Sequence, residues 1–99
     1  MGEDAEMESI IQQEKECYFC GTTLNLHCHH IYSGSANRKQ SEKYGMKCWL
    51  CADHHNMSNQ SVHQCWEMNL ALKIIAQKKF EQVHGTREDF RRIFGKSYI

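Results

Sequence analysis

Two short ligand pairs constrain this chain more than any other feature. Cys17 and Cys20 form a Cys-x-x-Cys pair, and Cys51, thirty-one residues after Cys20, opens a Cys-x-x-His pair with His54. Each pair can close a tight turn around one tetrahedral ion, and thiolates with an imidazole are a donor set of closed structural zinc sites. Gly21 follows the second cysteine, where a tight knuckle calls for positive φ. Six cysteines in 99 residues also suit a disulfide framework. Against that, the acidic amino terminus has no basic region followed by an apolar core, so it does not read as a secretory signal. The spacing favours structural zinc over disulfides or a redox pair. Cys28, Cys48 and Cys65 lack paired spacing and read as small buried hydrophobes.

A chain of this length forms a single domain with a thin core, and such cores benefit from a staple. The formal charge is zero, yet it is the sum of two opposed parts. Residues 1–16 hold six acidic side chains against Lys15 alone, a net of −5, and the remainder holds eleven basic and six acidic, a net of +5. Three thiolates and one Zn²⁺ would lower the latter to about +4. The balance therefore does not exclude a nucleic-acid partner. The organisation expected is an acidic leader over residues 1–16, a zinc-binding core over 17–64 and a helical extension over 61–99. The leader reads as a solvated tail, a short helix anchored by Ile10 and Ile11, or an oligomer contact. No apolar stretch is long enough to predict a membrane span.

Leu24, Leu26 and Cys28 alternate with Asn25 and His27, which is strand periodicity, and Ile31 with Tyr32 could extend it. Residues 33–41 read as a polar loop carrying the adjacent cations Arg38 and Lys39. Residues 44–50 read as a second strand, and residues 51–55 as the first turn of a helix. Ser61 is positioned to cap a long helix reaching about His84, with Trp66, Leu70, Ala71, Ile74, Ile75 and Lys78 as its buried stripe. Gly85 stops that helix. Thr86 with Asp89 resembles a capping box for a last helix, whose apolar face is Phe90, Ile93 and Phe94 and whose end is Gly95. His84 reads as a helix-terminal residue without a chemical role.

A zinc-stapled hairpin followed by a helix would bring His29 and His30 close to His55. At this point the chain resembles the HNH endonucleases, whose ββα-metal fold often sits on a treble-clef zinc scaffold, and in particular their small phage and prophage members. The resembling elements are Cys17-x-x-Cys20, Leu26-His27-Cys28-His29-His30-Ile31, Asn37-Arg38, Ser41-Glu42-Lys43-Tyr44-Gly45 and Leu50-Cys51-x-x-His54-His55. Ser61-Val62-His63 and the closing Phe94-Gly95-Lys96-Ser97-Tyr98 belong with them, so the resemblance covers about residues 17–99.

The resemblance implies a small α+β fold, a zinc-stapled treble-clef ββα-metal core with C-terminal helices. It implies His30 as general base and His29 and His55 as ligands of one catalytic divalent cation, such as Mg²⁺, Mn²⁺, Ni²⁺ or Zn²⁺. Either His63 or Asn59 would complete that set, His63 being favoured by the Ser-Val-His triplet. An ordinary imidazole titrates at about 6.5 and can take a proton from water near neutral pH. The water then attacks the phosphodiester while the ion neutralises the phosphate and the departing 3′ oxygen. Arg38 and Lys39 are candidates for phosphate contacts. His27 reads as a solvent-facing strand residue. The asparagine that gives the family motif its middle letter would fall near Met46, and none is there.

The function expected is therefore a metal-dependent endonuclease hydrolysing DNA, acting in the cytoplasm of a bacterial host cell. A homodimer is one arrangement for double-strand cuts, with Ile10, Ile11 and the long helix as a candidate interface. The competing reading is a non-catalytic zinc-finger module that binds nucleic acid or a protein.

Overall fold

The structure, a computed structural model, describes residues 9–57 and 65–99. Ser61, Asn59, Val62 and His63 lie outside the described residues. The described elements are β1 (Leu26–His30), α1 (Ser35–Tyr44), β2 (Lys47–Cys51), a wide turn of π-helix (Asp53–Met57), α2 (Trp66–Val83) and α3 (Arg87–Phe94). They make a small α+β architecture around one two-stranded antiparallel sheet. Leu26 stands opposite Cys51, Cys28 opposite Trp49 and His30 opposite Lys47.

Residues 35–44 correct the expectation of a loop. They form a helix because Ala36, Arg38, Lys39, Gln40, Glu42 and Lys43 are strong helix formers, and Gly45 stops it in the left-handed region. An apolar stripe is not what holds it. Ser41, fully buried, donates its hydroxyl to the Tyr32 carbonyl at 2.8 Å and accepts the Tyr32 N–H at 3.2 Å. That bond ties α1 to the chain leaving β1.

The core is largely aromatic. Tyr32 packs on Phe94 at 4.6 Å and on Phe90 at 5.2 Å between ring centroids, and Phe80 meets Phe90 at 5.3 Å. Such pairs add about 0.5–1.5 kcal/mol each beyond the area they bury. Ile31, Met46, Leu50, Leu72 and Ala76 fill the rest. The buried side of α2 is Leu72, Ala76, Gln77 and Phe80, not the stripe the sequence suggests; Trp66 remains 71 % exposed and Ile75 41 %. Apolar residues occur around much of α2, so tertiary contacts with the aromatic cluster set the phase of burial. Buried Gln77 accepts the Tyr98 N–H at 2.7 Å and donates to the Ser97 hydroxyl at 2.9 Å, docking the carboxyl-terminal segment. The capping box of α3 is present as the sequence indicates, with Thr86 and Asp89 bonded reciprocally. Gly85 makes room for it, since a Cβ there would lie 2.6 Å from Asp89 Oδ2.

Residues 9–16 are neither a solvated tail nor a helix. They run along the outer edge of β2, where the Ser9 hydroxyl donates to the Lys47 carbonyl and Gln12 Oε1 accepts the Trp49 N–H at 2.8 Å. Tyr18 donates its N–H to the Trp49 carbonyl at 2.9 Å. Lys15 Nζ lies 4.6 Å from the Trp49 ring centroid. Ile10 and Ile11, which the sequence offers to a partner, pack against this chain's own core. The leader thus satisfies backbone groups of β2 that would otherwise form a bare sheet edge. Replacing Gln12→Ala should therefore cost about 1–2 kcal/mol in urea denaturation, because it leaves a partly buried N–H without its acceptor. An unchanged midpoint would mean that the leader is not part of the folded unit.

Candidate metal centre and histidine cleft

The first ligand pair sits on a turn closed by hydrogen bonds from Gly21 N–H to the Cys17 carbonyl and from Cys17 N–H to the Thr22 carbonyl, both 2.8 Å. Gly21 has φ +78°, the conformation that the spacing demands. The second pair begins at the last residue of β2 and ends in the π-helical turn. Antiparallel pairing of β2 with β1, and of the Tyr18 N–H with Trp49, brings the two pairs together.

Their ligand atoms converge. Cys20 Sγ is 3.8 Å from Cys51 Sγ, Cys17 Sγ is 3.6 Å from His54 Nδ1, and Cys51 Sγ is 3.2 Å from the same nitrogen. All four ligand atoms lie within 4.8 Å of one another. Zn–S bonds of about 2.3 Å at tetrahedral angles put two sulfurs roughly 3.8 Å apart, so the spacing matches a shared ion. A disulfide needs sulfurs about 2.05 Å apart, and all six cysteines are free. Burial pulls the Cys17 thiol up, but the backbone of Cys51, Cys20 and Phe19 and the Cys20 thiol together outweigh it and hold it at about 6. Cys17 is therefore ready to ligate as a thiolate. Cys48, by contrast, is pushed up to about 12, by burial first and then by Cys28 and Cys17. It belongs to the core, as does its neighbour Leu50. Cys28 is exposed, against the expectation of a buried hydrophobe, and Cys65 is half-buried.

Beside this centre lies a shallow cleft of about 280 Å³ lined by Cys28, His29, His30, Ser33, Arg38 and His55. His29 and His30, consecutive residues at the end of β1, both line it. His29 is buried, and its ring centroid is 5.4 Å from that of His55. Of the two cations suggested for phosphate contacts, Arg38 borders the cleft and Lys39 does not. Both are exposed on α1. His63 and Asn59, the alternative third ligands, fall outside the described residues.

Two participants escaped the sequence reading. Glu42, on α1, accepts from His30 Nε2 at 2.7 Å and also pairs with Lys47. Burial works to raise its pKa, but hydrogen bonds and charge from Lys47 and His30 prevail and lower it. An ionised carboxylate only accepts, so the imidazole proton lies on Nε2 and the lone pair on Nδ1 when His30 is neutral. Taking residues 33–41 as a polar loop hid this contact, since only a helix carries Glu42 back to β1. The second is His27, whose Nδ1 is 2.9 Å from His55 Nδ1. It is exposed, as expected, yet it shares a strand face with His29 by the period of two. Met46, where the family's asparagine would fall, is fully buried in the core.

The surrounding charges are unevenly placed. Arg87, Arg91 and Arg92 pair with Glu81, Glu88 and Asp89, so α3 offers little uncompensated positive charge. His84 contacts the Tyr44 carbonyl through Nε2 at 2.8 Å and packs on the Phe80 ring, a structural placement. No helix among the described residues is long and apolar enough to cross a membrane.

If the four-ligand cluster is the staple, chelation should abolish cooperative unfolding, and adding back one equivalent of Zn²⁺ should restore it. Cys51→Ser should lower bound zinc below one per chain and reduce the thermal midpoint, read by metal analysis and circular dichroism. A chain that keeps its transition after complete metal removal would contradict this. The chain matches no family model, no curated protein and no solved structure, so its chemistry has to be read from this cluster and the cleft beside it.

Proposed function

We propose that this chain is a metal-dependent endonuclease of the HNH type, hydrolysing DNA phosphodiester bonds on a treble-clef scaffold stapled by zinc at Cys17, Cys20, Cys51 and His54. The observation that carries the reading is the contact between His30 and Glu42 at a cleft lined with further histidines. A carboxylate behind an imidazole fixes its tautomer and orientation and makes it a better base. A module that only binds has no use for that arrangement.

In this reading His30 Nδ1 takes the proton of an attacking water, while Glu42 holds the ring from the opposite nitrogen. Arg38, at the cleft's border, meets a phosphate oxygen. The first turn of α1 carries no acidic side chain, so its N-terminal end does not repel the phosphate. His29 and His55, with His63 as the third ligand, would hold the divalent cation, which supplies Lewis-acid neutralisation of the phosphate and of the departing 3′ oxygen. Glu42 takes over the bracing of the base that the family gives to an asparagine. Placing Met46 in the core therefore does not remove the base's support. DNA is the partner proposed, and the cytoplasm of a bacterial host the setting.

The test is plasmid nicking by the zinc-loaded chain with added Mg²⁺, Mn²⁺, Ni²⁺ or Zn²⁺. His30→Ala should lower the rate by at least about 100-fold, the lower end of what a positioned base contributes. Glu42→Gln should cause a smaller loss, since the amide still bonds the ring without its charge. Absence of cleavage with every metal, or full activity in His30→Ala, would leave the zinc-finger binding module as the better description.

A further inference from the structure

Lys73 and Lys96 both face the ring of Tyr98, with their Nζ atoms 5.3 Å and 5.0 Å from its centroid. Neither forms an ion pair with a carboxylate among the described residues. Two ammonium groups against one ring repel each other, and the Lys73 pKa is lowered, by burial first and then by the charge of Lys96. The carboxyl end of α3 accounts for a cation at Lys96. It does not account for Lys73, which comes from the interior of α2. Both cations are held in place. The Tyr32 hydroxyl donates to the Lys73 carbonyl, and the Tyr32 ring packs on that of Tyr98 at 5.5 Å. Buried Gln77 fixes Tyr98 and Ser97 on either side of the contact.

This pair adjoins the histidine cleft. Asn37 donates through Nδ2 to the Phe94 carbonyl at 3.3 Å, two residues before Lys96, and its neighbour Arg38 borders the cleft. The first turn of α1, which carries Asn37 and Arg38, holds no acidic side chain. We propose that Lys73 and Lys96, positioned by Tyr98, continue the phosphate contact of Arg38 as a track that carries the DNA backbone away from the cleft. This rests on the reading of DNA as the partner, but it does not require that the chain cleave it. The ligand chemistry follows from the donors. An ammonium group meets phosphate as a point charge, and cations already drawn over the ring by its quadrupole need little further ordering. With ammonium groups over it, the ring serves the cations rather than a nucleobase. The track therefore positions the duplex and reads no sequence. An anion between the two lysines also relieves the repulsion that the free chain carries.

The experiment measures binding of the zinc-loaded chain to short fluorescein-labelled DNA duplexes by anisotropy, with no other divalent ion added, across about 50–200 mM salt. Lys96→Gln should weaken binding to the same extent on duplexes of different sequence and lower the slope of log K against log salt by about 1. Lys73→Gln should do the same, and the double variant should lower the slope by about 2. Lys96 is exposed, so its variant should keep the wild-type circular dichroism and zinc content. Lys79→Gln removes the same charge from an exposed position about two thirds of a turn further round α2 and should keep the wild-type slope. An unchanged slope in Lys73→Gln or Lys96→Gln, an equal loss in Lys79→Gln, or no binding of duplex by the wild type would overturn the proposal. Reduced slopes in a chain that nicks no plasmid with any metal would uphold this track and sink the nuclease reading. Nicking by a chain whose lysine variants keep the full slope would do the reverse.

Discussion

The convergence of three thiols and one imidazole is the constraint on which the rest of this fold depends. Cys17 and Cys20 come from a knuckle before the sheet, Cys51 and His54 from its exit, and one ion held by all four would join these two segments. The aromatic cluster of Tyr32, Phe80, Phe90 and Phe94 packs α2 and α3 against the chain leaving β1, and it is part of one buried core that also takes in Cys17 and Cys51. A two-stranded sheet is marginal in water without support on its faces and edges. Here the ligand cluster holds one end of it, and residues 9–18 cover its outer edge.

That arrangement explains how a small domain can display a polar cleft. His29 and His30 lie at the end of β1, His55 beside His54 in the same π-helical turn, and Arg38 on α1. Fixing His54 fixes its neighbour His55, so the structural centre and the histidine cleft share a backbone segment. Glu42 then adds a second layer of order by holding His30 from α1, with Lys47 keeping the carboxylate ionised. The proposed chemistry draws on this coupling: residues that would handle water, ion and phosphate are positioned by the same elements that bring the four-ligand cluster together.

Much of this was legible in the sequence where a local rule acts. The ligand spacing identified Cys17, Cys20, Cys51 and His54 as neighbours, Gly21 announced a positive φ, and Thr86 with Asp89 announced a capped helix. What was not legible depends on tertiary context. α1 has no apolar stripe, so the search for periodicity passed over its helix-forming composition, and with it the Glu42–His30 pair. α2 is apolar on several sides, so only its neighbours decide that Leu72 and Ala76 are buried while Trp66 and Ile75 are not. His27 looked idle because its partner His55 is twenty-eight residues away. The period of two that places His27 beside His29 was available from the start.

The most direct test of the central claim is X-ray absorption at the zinc edge on the chain loaded with one equivalent of Zn²⁺. The expected result is a first shell of three sulfurs at about 2.3 Å and one imidazole nitrogen at about 2.0–2.1 Å. A shell dominated by nitrogen and oxygen, or one with fewer than three sulfurs, would mean that Cys17, Cys20 and Cys51 do not share an ion and that the domain is held together in some other way.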